Sequence, residues 1–147
     1  MPAKKVILAG GGTGGHIYPA IAIAQAIRKS FPDSDILFIG TERGLEKELV
    51  IKAGFPLKTI RVRGFRRKLS IDTLISVKEL VHGAMDSIGL LKREKPDIVI
   101  GTGGYVAGPA VFFASILGIP TAIHEQNVTP GVTNKILSRF VDKIFIS

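Results

Sequence analysis

Short apolar runs rich in β-branched residues alternate with segments of helical periodicity from one end of this sequence to the other. The strand-like runs are residues 6–9, 36–39, 57–62, 98–100, 121–124 and 143–146. Between them, helix-period segments occupy residues 20–29, 45–53, 72–94, 107–117 and 131–140, with Pro32, Pro56 and Pro96 at the joints. Continuously apolar strands need cover on both faces, and strand–helix–strand crossovers are right-handed. The chain is therefore expected to be an α/β domain with a doubly wound, Rossmann-like parallel sheet in the order 3-2-1-4-5-6. Ligands of such sheets gather beyond the carboxyl ends of the strands. All three unusual loops, residues 10–16, 101–109 and 125–134, fall at ends of that kind and are expected to converge on one cleft.

Composition narrows what that cleft can serve. A chain of 147 residues that is 46% hydrophobic can bury the core of one ordinary domain. It has no cysteine, which excludes a disulfide framework, a thiolate metal site and a cysteine nucleophile, and suits the cytoplasm. The apolar run at 6–9 is too short for a signal-peptide core, and the longest apolar stretch, 106–119, is interrupted by Gly108, Pro109 and Gly118, so no spanning helix is expected. Twenty Lys and Arg against 12 Asp and Glu favour a polyanionic partner. Arg61, Arg63, Arg66, Arg67 and Lys68 concentrate that charge. Zinc-ligand spacing, a basic heptad region and a stacking platform are all missing, so nucleic acid is not the expected partner. No metal or cofactor is expected.

Gly10-Gly11-Gly12-Thr13-Gly14-Gly15-His16 joins a strand to a helix, with Pro19 expected in that helix's first turn. Free N–H groups there, with the Thr13 hydroxyl, make an anion site. Gly10, Gly12 and Gly15 match G-x-G-x-x-G, but Gly40-Thr41 stand where a dinucleotide site expects an acid, with Glu42 only beyond them. No Lys-Ser or Lys-Thr completes a Walker loop. His16 is a candidate general base or, equally, a helix-capping histidine. In the second loop Gly103 and Gly104 offer backbone donors, and Tyr105 offers a phenol that can bond or stack on a substrate ring or pack as an edge residue. In the third, Glu125 is a second candidate base and Asn127 a reader of a sugar or amide; helix capping is the plainer alternative.

Along the segment at 72–94, Leu74, Val77, Val81, Ala84, Ile88 and Leu91 follow 3-4 spacing and are expected to face the core. Ile71, Ile75 and Met85 fall off that stripe. With Phe65, Arg66, Arg67 and Lys68, Ile71 and Ile75 form a candidate patch for an anionic membrane surface, the alternative being a wider core face beside a solvated basic loop.

As they stand, GGGTGGHIYPA, GTGGYVAGP and HEQNVTPGVTNK resemble, in order and over nearly the whole chain, the motifs of the MurG family of bacterial transferases that make lipid II. The resemblance implies an inverting, metal-independent glycosyltransferase of the two-domain GT-B type. It would move N-acetylglucosamine from UDP-N-acetylglucosamine to the C4 hydroxyl of undecaprenyl-diphosphate-linked N-acetylmuramyl-pentapeptide, lipid I. Residues 1–147 would be its N-terminal, acceptor-binding domain, peripheral on the cytoplasmic face of the inner membrane. A C-terminal UDP-sugar domain, not among these residues, would complete the donor pocket, and this half alone is not expected to turn over. By the same resemblance His16 is catalytic, Thr13, Gly14 and Gly15 approach both substrates, and Tyr105, Glu125 and Asn127 line the cleft. Alternatives are a diacylglycerol glycosyltransferase, a non-catalytic membrane-binding subunit of a split GT-B enzyme, and a nicotinamide-dependent oxidoreductase domain.

Overall fold

The computed structural model describes residues 4–62 and 71–147, with side chains described outside 71–76. The elements in chain order are β1 (Lys5–Gly10), α1 (Gly14–Ser30), β2 (Asp35–Gly40), α2 (Glu46–Lys52), β3 (Leu57–Thr59), α3 (Ile71–Glu94), β4 (Ile98–Gly103), α4 (Ala107–Ile116), β5 (Thr121–Glu125), α5 (Val132–Leu137) and β6 (Lys143–Ile146). Every pairing is parallel, and the sheet runs β3-β2-β1-β4-β5-β6, the order that right-handed crossovers predict.

Because successive strand residues point to opposite faces, each central strand feeds two cores. Val6, Leu8, Ile36 and Phe38 pack with Ile17, Ala20, Ala24 and Val50 beneath α1 and α2. Ile7, Ala9, Ile39 and Val99 pack with Leu90, Leu91, Ala110 and Ala114 beneath α3 and α4. Alanines on α4 let that helix lie close to the sheet. At the sheet's edge β6 is exposed along its whole length.

Three local departures from the periodicity have physical causes. Helix α1 begins at Gly14, well ahead of residue 20, because backbone geometry carries the helix through glycines that have no apolar period to show. Pro19 therefore lies inside the helix, beyond the first turn. Strand β3 ends at Thr59 because Arg61 turns its amide to the Asp86 carboxylate, at 2.9 Å, although Ile60 and Val62 remain buried.

The third departure corrects the expected core face of α3. Val77 and Val81 are 49% and 53% exposed, whereas Ser87, Leu90 and Leu91 are buried. Gly83 lies on the buried side: a Cβ there would stand 2.8 Å from the Arg61 carbonyl, whereas nothing lies within 4 Å of one on Gly89, also in α3. Ala84 and Ile88 are only half-buried, and Leu91 keeps its expected place. Leu74, Ile71 and Ile75 have side chains outside the described residues, as do Phe65, Arg66, Arg67 and Lys68 entirely. Among the described residues no helix is long and apolar enough to cross a membrane.

Candidate functional site

Strands β1, β4 and β5 are neighbours in the sheet, so the loops at their carboxyl ends emerge side by side. The register between β1 and β4 slips at Ala9/Gly10, so that Gly10 lies opposite Gly103 and the Gly11 amide donates to the Gly103 carbonyl at 3.4 Å. The two glycine loops are thus tied to each other at their bases.

His16 lies at that junction. The Thr102 hydroxyl donates to the His16 carbonyl at 2.6 Å, and the Thr102 carbonyl stands 3.2 Å from His16 Nδ1. A carbonyl can only accept, so this contact is a hydrogen bond when the proton is on Nδ1, the tautomer that leaves the Nε2 lone pair free. The ring is seated by two glycines in the left-handed region, Gly103 at φ +105° and Gly104 at φ +81°. A Cβ on Gly103 would come within 2.7 Å of His16 Nδ1, and one on Gly104 would overlap the Gly11 carbonyl. Their role in the fold is therefore steric: they clear the space that the imidazole fills.

Gln126 joins the third loop to the same point. Its Nε2 donates to the Gly15 carbonyl at 2.9 Å and approaches the Thr102 carbonyl at 3.3 Å and His16 Nδ1 at 3.1 Å. Gly15 has a carbonyl to spare because the residue four positions on is Pro19, which has no N–H to give it. Sequence reading passed over Gln126 and Thr102. The signal for Gln126 was the proline inside α1, which leaves one backbone acceptor in need of an outside donor.

Glu125 is 4% exposed, and both its oxygens are occupied. Oε1 accepts the Asn127 backbone amide at 2.9 Å and its side-chain amide at 2.8 Å. Oε2 accepts Gly131 N–H at 3.1 Å and Asn134 Nδ2 at 2.9 Å. Burial pushes this carboxyl up, but the donors from Asn127, Asn134 and Gly131 together outweigh it and hold Glu125 below the ordinary carboxylate range. The geometry is that of an ionised group organising residues 125–134, with Asn127 exposed at the loop's surface.

The first loop divides its own donors. Gly11 gives its amide to Gly103 and Gly12 gives its amide to Glu46, whereas the Gly14 and Gly15 amides, at the start of α1, have no acceptor among the described residues. Thr13 caps that helix through its backbone, and its side chain makes no capping bond. Free amides at the positive end of a helix of 17 residues are suited to an anion. The Tyr105 ring packs over Gly12, where a Cβ would lie 2.6 Å from Cε1. Beyond Tyr105 a groove of about 610 Å³ opens between Thr41, Ile60 and α3. Arg61 on its wall is held by Asp86 at 2.8–2.9 Å, which raises the guanidinium's pKa and lowers the carboxyl's. Among the described residues no cluster of three or more His, Asp or Glu could hold a metal ion.

The chain is 62% identical over 143 residues to a UDP-N-acetylglucosamine–N-acetylmuramyl-(pentapeptide) pyrophosphoryl-undecaprenol N-acetylglucosamine transferase of Acetivibrio thermocellus, and 57% identical to the protein of the same name from Ruminiclostridium cellulolyticum. Each match takes in 97% of this chain, which spans 39% of the relative's length. The crystal structure of Acinetobacter baumannii MurG superposes with a TM-score of 0.84 at 34% identity, over 97% of this chain and 41% of that one. A Listeria monocytogenes structure described as a UDP-N-acetylglucosamine 2-epimerase shares the fold at 13% identity and a TM-score of 0.65. Residues 6–146 match the model of the glycosyltransferase family 28 N-terminal domain, and the chain belongs to that family.

Proposed function

We propose that this chain forms the acceptor-binding part of an enzyme that transfers N-acetylglucosamine from UDP-N-acetylglucosamine to the C4 hydroxyl of N-acetylmuramyl-pentapeptide on undecaprenyl diphosphate. The observation that carries the reading is the placement of His16, seated by Gly103 and Gly104 beside the unpaired amides of Gly14 and Gly15. An imidazole lone pair and an anion site lie at one sheet end, as transfer to a hydroxyl on a diphosphate-linked sugar requires. The names of the relatives supply the substrate class.

In the proposed step the acceptor oxygen attacks the donor's anomeric carbon from the face opposite UDP. The new C–O bond forms as the bond to the UDP phosphate breaks, and the electron pair leaves with UDP. His16 Nε2 takes the hydroxyl proton and becomes imidazolium, while Nδ1–H stays on the Thr102 carbonyl. The Gly14 and Gly15 amides and the Thr13 hydroxyl hold the acceptor diphosphate. Gly103, Gly104 and Tyr105 form the wall against the muramyl ring, and Glu125 keeps Asn127 in place to meet the donor sugar. Between His16 and Glu125, the base is assigned to His16, because the oxygens of Glu125 already accept four hydrogen bonds.

An acceptor anchored in a bilayer brings the protein to the membrane surface. Val77, Leu80, Val81 and Met85 of α3 are exposed, and with Phe65, Arg66, Arg67, Lys68, Ile71 and Ile75, close to them in sequence, they would serve as the patch for anionic lipid. Basic residues near anionic lipid contribute about 1 kcal/mol each, which favours peripheral binding at the cytoplasmic leaflet.

The deciding experiment is titration of the chain with a short-prenyl muramyl-diphosphate analogue, in parallel with the same compound lacking its diphosphate. Saturable binding that requires the diphosphate is expected. Equal binding of both compounds would sink the assignment of the first loop.

A further inference from the structure

The first glycine loop rests on a carboxyl group that the proposed reaction does not use. Glu46, the first residue of α2, is 1% exposed, and its Oε1 accepts the Gly12 N–H at 3.1 Å. Its Oε2 is sealed from solvent with no hydrogen-bond partner among the described residues. A carboxyl group at such depth is costly, and an apolar side chain would fill the same space without that cost. Three glycines, one after β1, one at the end of β2 and one in the connection to α2, nevertheless make room for it. A Cβ on Gly11 would overlap Glu46 Oε1, one on Gly44 would overlap Oε2, and one on Gly40 would stand 2.8 Å from the Glu46 Cβ. Gly12 itself has φ +90°, the bend at which the chain leaves β1 and turns toward α1.

We propose that Glu46 is a positioning residue that fixes the ligand-binding shape of the first glycine loop by holding the Gly12 amide inward. One consequence is a division of labour within the loop. Gly12 N–H is held inward, while the amides of Gly14 and Gly15, beyond Thr13, have no acceptor among the described residues. A second consequence is electrostatic: the loop that receives an anion has an acidic side chain directly behind it. Hydrogen bonding to Gly12, rather than charge, is therefore the property that the site needs, and glutamine at this position would supply it through Oε1.

The proposal rests on the acceptor reading above only for which substrate responds. The test uses Glu46→Gln and Glu46→Ala in the complete enzyme carrying these residues. Two quantities are read: hydrogen exchange at the Gly12 amide, which needs no substrate, and KM measured separately for the lipid-diphosphate acceptor and for UDP-N-acetylglucosamine. Glu46→Ala is expected to speed Gly12 exchange and to raise the acceptor KM about tenfold, the worth of one hydrogen bond, with the donor KM unmoved. Glu46→Gln is expected to restore both. If Glu46→Ala does not fold, Glu46→Asp, one methylene shorter, carries the same expectations. Unchanged Gly12 exchange in the shortened variants, or no rescue by glutamine, would overturn the proposal. Faster Gly12 exchange with a rise in the donor KM alone would support the hold on the loop and overturn the acceptor reading instead.

Discussion

At the scale of single residues, the site is a set of side chains seated by glycines. Gly104 and Gly118 both adopt positive φ, +81° and +74°, but a Cβ on Gly104 would overlap the Gly11 carbonyl, whereas nothing lies within 4 Å of one on Gly118. Gly118→Ala is expected to cost about 1 kcal/mol of backbone strain. Gly104→Ala should cost about 3 kcal/mol or more, because the overlap is with backbone that cannot rotate away. Urea denaturation of the two variants measures the difference. His16→Ala in the complete enzyme is expected to lower kcat by roughly 10²–10⁴, the range for loss of a general base, with donor KM little changed. Steady-state kinetics check this, and near-normal kcat would remove His16 as the base.

At the scale of elements, α1 gives up an internal hydrogen bond to gain an external one. Pro19 leaves the Gly15 carbonyl to Gln126, whose amide also donates to the Thr102 carbonyl that holds His16 Nδ1. Pro19→Ala lets residue 19 bond Gly15 within the helix, so helix stability should rise by about 1–3 kcal/mol. Turnover should fall as Gln126 loses its anchor. Thermal midpoint and kcat, measured on the same variant, should move in opposite directions; a higher midpoint with unchanged kcat would separate Gln126 from catalysis. Helix α3 offers a second contrast, between Val81 at 53% exposed and Leu91 at 1%. Leu91→Ala is expected to cost about 2–5 kcal/mol. Val81→Asp should stay within about 0.5 kcal/mol of the parent in stability yet weaken binding to anionic vesicles, as a co-sedimentation assay at low salt would read.

At the scale of the whole molecule, the two ends of the sheet are built for different purposes. Opposite the site, Glu94 at the end of α3 is bonded by Lys5 of β1, at 2.5 Å, and by Lys58 of β3, which joins a helix to two strands. The hydrogen bonds from Lys5 and then Lys58 hold its carboxyl down to about 2, from an ordinary 4.5. A depressed carboxyl stabilises the fold above its unfolded value and loses that contribution as pH falls through the folded one. Lys58 is 44% exposed, so solvent screening trims the contribution to on the order of 1–2 kcal/mol. Glu94→Gln should therefore lower stability near pH 7 and converge with the parent as pH falls from 4.5 toward 2. Chemical denaturation across that range tests it, and a difference that persists at the acid end would assign the loss to packing.

Alternation of strand and helix signals is a local property, and with the handedness of crossovers it sufficed for the sheet order and for the end at which residues 10–16, 101–109 and 125–134 meet. The positions of His16, Glu125 and Tyr105 were legible for the same reason, since each lies at or just beyond the end of a strand. Other features depended on contacts between segments far apart in the chain. Gly12 finds Glu46, His16 finds Thr102 and Gln126, and Gly83 finds the Arg61 carbonyl only when the elements pack. Apolar spacing along α3 narrows the core face to a sector of the helix. The close contact between Gly83 and the Arg61 carbonyl decides which part of that sector is buried. Tertiary structure alone assigned the glycines of the second loop to an imidazole and those around Glu46 to a carboxyl group, because the space a glycine leaves acquires a purpose only from the atom that comes to fill it.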